Sequence, residues 1–189
     1  MKIAIDFDGV ILDSETHIKF WADYFSYFKI NKPRTKTDEV TQDICFDWSE
    51  DEMNEFYTTY FQTATKNSGF VVGAKEMLEK LKAEGHKLII ISKRGFYNQD
   101  ELKFALPKLD EFGFDFDDVL FGVKNKVDTC KELDIDLMIE DNPENVEQFF
   151  DSNIKVIYLR AKNIRKINHK NVTEVSDWFE IYKTIHEMK

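Results

Sequence analysis

Cross-linking chemistry is scarce in this chain. It has two cysteines, Cys45 and Cys130, and they lie far apart in sequence. Two such thiols supply neither a disulfide framework nor a zinc ligand set. The four histidines, His17, His86, His169 and His186, are scattered without HxxxH spacing. Only 7 glycines and 3 prolines interrupt 189 residues, which leaves little room for flexible linkers. No apolar run approaches the length that crosses a bilayer. The start, Met1 to Asp6, turns acidic before a secretory core could form, so a reducing, cytoplasmic setting is the simplest expectation. Positive charge is in the minority: 26 Lys and Arg face 36 Asp and Glu, a formal net charge of −10. That sign disfavours polymeric nucleic acid and anionic membranes.

What is present suits one soluble α/β domain of modest size. Apolar residues make up 42% and charged residues 33%, enough to bury a core. Short apolar runs alternate with helical patterns, the signature of a mostly parallel sheet. Five strands are expected: Lys2 to Phe7, Lys87 to Ser92, Asp118 to Phe121, Asp136 to Ile139 and Lys155 to Leu159. Ala74, Met77, Leu78 and Leu81 stripe a helix that Gly85 stops. Pro143 opens a helix to Phe150. Ser176 is the expected cap of a last helix carrying Trp178, Ile181, Tyr182 and Ile185.

The interval from Ser14 to Gly73 is too long for a simple crossover, and it is rich in aromatic residues. Ile18, Trp21, Phe25 and Phe28 stripe one helix. Pro33 breaks the chain, and a second helix starts near Glu50 with Met53, Phe56, Tyr57, Tyr60 and Phe61. This predicts a Rossmann-like core (1–13 and 74–189) with a small helical cap inserted after the first strand (14–73). Phe20, Trp21, Tyr24, Phe46 and Trp48 either stack on a ligand or fill the cap's core, with the core reading first.

Ligands of an open parallel sheet bind at the carboxyl ends of its strands. Here those ends carry Asp6 and Asp8 with Gly9, then Ser92, Lys93 and Arg94, then Lys124 and Lys126, then Glu140 and Asp141. Three or four carboxylates cannot all ionise side by side without a cation. Oxygen ligands alone favour a hard ion, Mg²⁺ in the first place. A lysine and a hydroxyl beside such a site make a phosphoryl pocket, and a carboxylate can attack phosphorus.

With these residues in this order, the chain resembles the haloacid dehalogenase-like superfamily of phosphatases. The resemblance rests on Asp6-Phe7-Asp8-Gly9-Val10, Ile90-Ile91-Ser92-Lys93-Arg94-Gly95, Lys126 and Ile139-Glu140-Asp141. Phe46-Asp47-Trp48-Ser49, Gly73-Ala74-Lys75-Glu76 and Val127 to Leu133 are similar to bacterial nucleotidases related to cytosolic 5'(3')-deoxyribonucleotidases. So is the ending, Val175 to Tyr182. The resemblance implies that Asp6 is nucleophile and metal ligand. It implies that Asp8 is general acid and base, with its carbonyl on Mg²⁺. Ser92 would hold the phosphoryl group, Lys126 would neutralise it, and Asp141 would complete the metal site. Lys93 and Arg94 would contact substrate. Glu140 stands where relatives have an aspartate and would support the metal site from behind. Lys124 competes with Lys126, which is preferred because it opens a helix. The expected substrate is a small phosphorylated metabolite, first a nucleoside monophosphate. A sugar phosphate, or a binding module without turnover, is the alternative.

Overall fold

The computed structural model describes residues 1–188. In chain order the core begins with β1 (Lys2–Ile5) and then gives way to helices. These are α1 (Ser14–Phe28), α2 (Gln42–Cys45), α3 (Glu50–Phe56), a π-helical turn (Tyr57–Phe61) and α4 (Gln62–Asn67). The chain returns through α5 (Ala74–Ala83), β2 (Lys87–Ile91), α6 (Leu102–Phe112), β3 (Asp118–Leu120), α7 (Lys126–Glu132) and β4 (Leu137–Glu140). It closes with α8 (Pro143–Glu147), β5 (Lys155–Leu159), β6 (Val172–Val175) and α9 (Trp178–Glu187).

The six strands are all parallel, in the order β3-β2-β1-β4-β5-β6. Successive strands step outward on one side from β1 to β3 and on the other from β4 to β6. Strand order therefore reverses between β1 and β4, where an open sheet leaves a crevice at its carboxyl edge. Both faces of the sheet are covered, which is why its strands are apolar without alternation. Ile3, Ile5, Leu88, Ile90, Leu137 and Ile139 pack on one side against helices that include α5 and α9. Ala4, Ile89, Ile91 and Met138 pack on the other, with Val127, Cys130 and Val146 of α7 and α8.

The cap helices have their own core of Ile18, Ala22, Phe25, Cys45, Phe46, Phe56 and Ala64. A capping box, Ser49 with Glu52, starts α3. Two strand-like connections join this lobe to the sheet: Asp13 N–H donates to Gly69 O at 3.0 Å, and Val71 N–H to Ile11 O at 2.9 Å. The buried Trp178 of α9 donates its indole N–H to Val10 O at 2.8 Å and fixes the turn that follows β1.

Several expectations need correction. The sheet has six strands rather than five. β6 was missed because Val172–Val175 is a short edge strand in which only Val175 is buried. The helix from Pro143 ends at Glu147, not Phe150. Asp177, not Ser176, caps α9: its carboxylate accepts from Glu180 N–H at 2.8 Å. Phe28 is 69% exposed, so it lies outside the buried stripe of α1. Gly85 does follow the end of α5, at φ +84°. Among the described residues, no helix is long and apolar enough to cross a membrane.

Candidate active site

At the reversal point, β1 and β4 bring Asp6 and Asp141 to one place. Asp6 accepts from Phe7 N–H at 2.8 Å through Oδ1 and from Lys126 Nζ at 2.8 Å through Oδ2. Lys126, the first residue of α7, is 1% exposed and also donates to Glu140 Oε2 at 2.6 Å. The second oxygen of Glu140 accepts from the backbone N–H groups of Asp141 and Asn142 at 3.1 and 3.0 Å. Both oxygens of Glu140 are therefore committed to protein donors. Lys124, by contrast, is exposed, and Lys126 is the lysine that reaches Asp6.

Asp141 is different. Among the described residues its buried carboxylate has no hydrogen-bond partner, and it lies against the turn at Gly9. A Cβ at Gly9 would come within 1.8 Å of Asp141 Oδ2, and Gly9 has φ +70°. Only glycine fits that approach and that backbone shape. Oxygens of Asp6, Glu140 and Asp141 lie within 4.8 Å of one another.

The electrostatics follow from this crowding. Burial, reinforced by the Glu140 charge, pushes Asp6 up to about 7 against the pull of Lys126. Burial, with the charges of Glu15, Glu140 and Asp6, pushes Asp141 well above the usual range. Burial also penalises Glu140, but Lys126 and the Asn142 N–H outweigh it and hold Glu140 low. One lysine does not balance these carboxylates, and a hard cation would. The donor set thus fits a hard cation such as Mg²⁺, which Asp6 and Asp141 would hold, Glu140 being committed to Lys126.

Asp8 faces the same cleft from the turn after β1. Its Oδ1 accepts from Ser14 Oγ at 2.8 Å, and its Oδ2 from Arg94 Nε at 2.9 Å. Arg94 Nη2 also donates to Asp8 Oδ1. Ser92, 2% exposed, ends β2 beside them, and its Oγ accepts from Arg94 N–H at 3.3 Å. Lys93 reaches across the cleft mouth to Asn145 Oδ1 at 2.6 Å. All seven residues expected from sequence at the site, namely Asp6, Asp8, Ser92, Lys93, Arg94, Lys126 and Asp141, line one cleft of about 660 Å³.

The cap supplies the opposite wall, and its aromatic residues divide between that wall and the cap's own core. None of Phe20, Trp21, Tyr24, Phe46 and Trp48 lines the cleft. Trp21 and Trp48 pack on the cap core, Phe46 is part of it, and Phe20 is 60% exposed. The aromatic residues that do line it are Tyr57, Phe61 and Tyr97. Tyr57 and Phe61 are the two ends of the π-helical turn. They meet edge to face at 4.9 Å. Half-buried Glu15 was also missed. Burial together with Asp8 pushes it up to about 8, against Arg94. As an acid in the first turn of α1, it reads in sequence only as a favourable helix-start residue.

The chain is similar to known proteins along its whole length. A family model described as 5' nucleotidase, deoxy (pyrimidine), cytosolic type C protein matches residues 1–189. A nucleotidase of Clostridium acetobutylicum is 24% identical over 189 residues, covering 100% of this chain and 95% of the relative. A haloacid dehalogenase-like hydrolase from Streptococcus pneumoniae shares the fold, with TM-score 0.66 at 13% identity over 97% of each chain. So does a haloacid dehalogenase-superfamily hydrolase from Geobacter sulfurreducens, with TM-score 0.59 at 15% identity over 97% of this chain and 99% of that one. With its family matched from end to end and its site built at the switch point of the sheet, the chain belongs to the cytosolic type C 5'-nucleotidases, phosphatases of the haloacid dehalogenase-like superfamily.

Proposed function

We propose that this phosphatase is a Mg²⁺-dependent phosphomonoesterase that works through an aspartyl-phosphate on Asp6, with nucleoside monophosphates as its substrate class. The observation that carries the reading is the joint placement of Asp6, Asp8, Ser92, Lys126 and Asp141 on one cleft. When bound by Asp6 and Asp141, Mg²⁺ supplies positive charge against the phosphoryl oxygens. The chain's own groups do the rest. Lys126, fixed between Asp6 and Glu140, orients the Asp6 carboxylate and balances its charge. Ser92 offers a hydroxyl to a phosphoryl oxygen. An Asp6 oxygen bonds to phosphorus as the bond to the ester oxygen breaks, and the Asp8 carboxyl gives its proton to the departing oxygen. Asp8, now a carboxylate, takes a proton from water as the water oxygen bonds to phosphorus. The Asp6–phosphorus bond then breaks and inorganic phosphate leaves.

Residues 14–73 act as a cap that excludes water and selects the leaving group. Tyr57, Phe61 and Tyr97 offer apolar faces, and Gln42, Asp43 and Asn54 offer hydrogen-bonding edges, a mixture suited to a nucleobase. The family description and the curated nucleotidase relative support the same class. The test is phosphate release from deoxynucleoside monophosphates and hexose phosphates, with and without Mg²⁺. Mg²⁺-dependent release that favours the nucleotides, abolished in Asp6→Asn, is expected. Full activity in Asp6→Asn would refute the mechanism, and a preference for hexose phosphates would refute the substrate class.

A further inference from the structure

The sequence pattern puts Arg94 on the substrate, yet its guanidinium is already engaged on three sides. Nε and Nη2 grip both oxygens of Asp8. Nη1 donates to Thr65 Oγ1 of α4 at 2.9 Å. The Phe61 ring lies 4.4 Å from the guanidinium carbon. Arg94 is 5% exposed, and Thr65 is fully buried. A planar, two-pronged grip of this kind fixes the direction of a carboxylate as well as attracting it. Two of the three supports of Arg94, Thr65 and Phe61, belong to the cap helices. Asp8 has one more partner, Ser14, the first residue of α1.

We propose that Arg94 is a positioning residue that sets the direction of the Asp8 carboxylate and couples it to the cap through Thr65 and Phe61. The cap helices pack around the arginine that holds the proton-transfer group, so Asp8 is aligned only when the cap is seated. Arg94 then acts on the chemical steps through Asp8 and contributes little to substrate affinity. This rests on the proposed role of Asp8, and the control for that role is separate.

The experiment is a double-mutant cycle on nucleoside monophosphate hydrolysis with Mg²⁺, comparing wild type, Arg94→Gln, Asp8→Asn and the double variant. Thr65→Val and Arg94→Lys accompany it, and thermal melts show that each protein is folded. Arg94→Gln is expected to lower kcat by about 10²-fold, on the scale of a lost general acid or base, with KM changed less than about threefold. Adding it to Asp8→Asn should cost nothing further, because both act on one group. Thr65→Val should lower kcat in the same direction by less. Arg94→Lys, unable to make the two-pronged contact, should not restore the rate. A raised KM at unchanged kcat would make Arg94 a substrate contact and overturn the proposal. So would a full additional loss in the Asp8→Asn background. If Asp6→Asn stays active, the underlying mechanism fails instead, and the two failures are thereby told apart.

Discussion

Gly9 and Lys126 each carry a strict local demand. Gly9→Ala would push a methyl group into the Asp141 carboxylate at a left-handed backbone position. Displacements near 1 Å cost about 10²-fold in a preorganised site. Gly9→Ala should therefore lose about that much activity and show weaker Mg²⁺ protection in thermal melts, and wild-type kinetics would count against the packing described. Lys126→Met leaves Asp6 and Glu140 buried without their cation. Breaking a buried pair in this way costs about 3–5 kcal/mol, measurable by urea unfolding. At this scale the site was legible because its residues end strands, and one sheet edge gathers them whatever the rest of the chain does. The partners of Arg94 were not. The pairing of β1 with β2 carries Asp8 to Arg94 across 86 positions, but Thr65, 29 positions away in α4, reaches Arg94 only through the packing of the cap.

Among elements, the cap is joined to the core a second time, far in sequence from its two connections. Arg165 Nε pairs with Glu39 Oε1 at 2.8 Å, and its backbone N–H donates to Asp38 O at 2.9 Å. Thr41 Oγ1 donates to Glu144 Oε2 at 2.6 Å and accepts from Asn142 Nδ2 at 3.0 Å, one residue beyond Asp141. Arg165→Met should loosen this contact without touching the sheet. Amide exchange across residues 38–46 should speed up while that of β1 and β4 stays unchanged; uniform acceleration would contradict an independent latch. The core strands and α5 were readable from apolar runs and 3.6-residue spacing. The edge strand β6 was not, because its exposed residues carry no burial pattern. Nor was the aromatic wall, because Tyr57 and Phe61 share an apolar stripe with Phe56 and Tyr60, and spacing alone does not separate the rings that reach the cleft from those that fill the cap's core.

For the molecule as a whole, the charge of −10 is partly a stored cost of the site. Asp6 is pushed up to about 7 and Glu15 to about 8. Acids with raised pKa bind protons more tightly folded than unfolded. Their contribution to stability is complete below the unfolded values near 4 and is lost as pH rises through 7 to 8. The held-down Glu140 works in the opposite sense, but its contribution changes below that window. Metal-free protein should therefore lose stability from pH 5 to pH 8. Under the proposed metal site, Mg²⁺ should raise Tm more at pH 8 than at pH 5; an equal gain at both would contradict a carboxylate site that competes with protons. The central claim concerns Asp6 itself, and the phosphoryl group can be located directly. Wild-type protein is mixed with substrate and Mg²⁺, quenched in acid within a single turnover, and its peptides weighed. An aspartyl-phosphate mechanism requires the added phosphoryl group on the peptide bearing Asp6. Phosphate release in wild type with no such adduct, or an adduct on another residue, would contradict it.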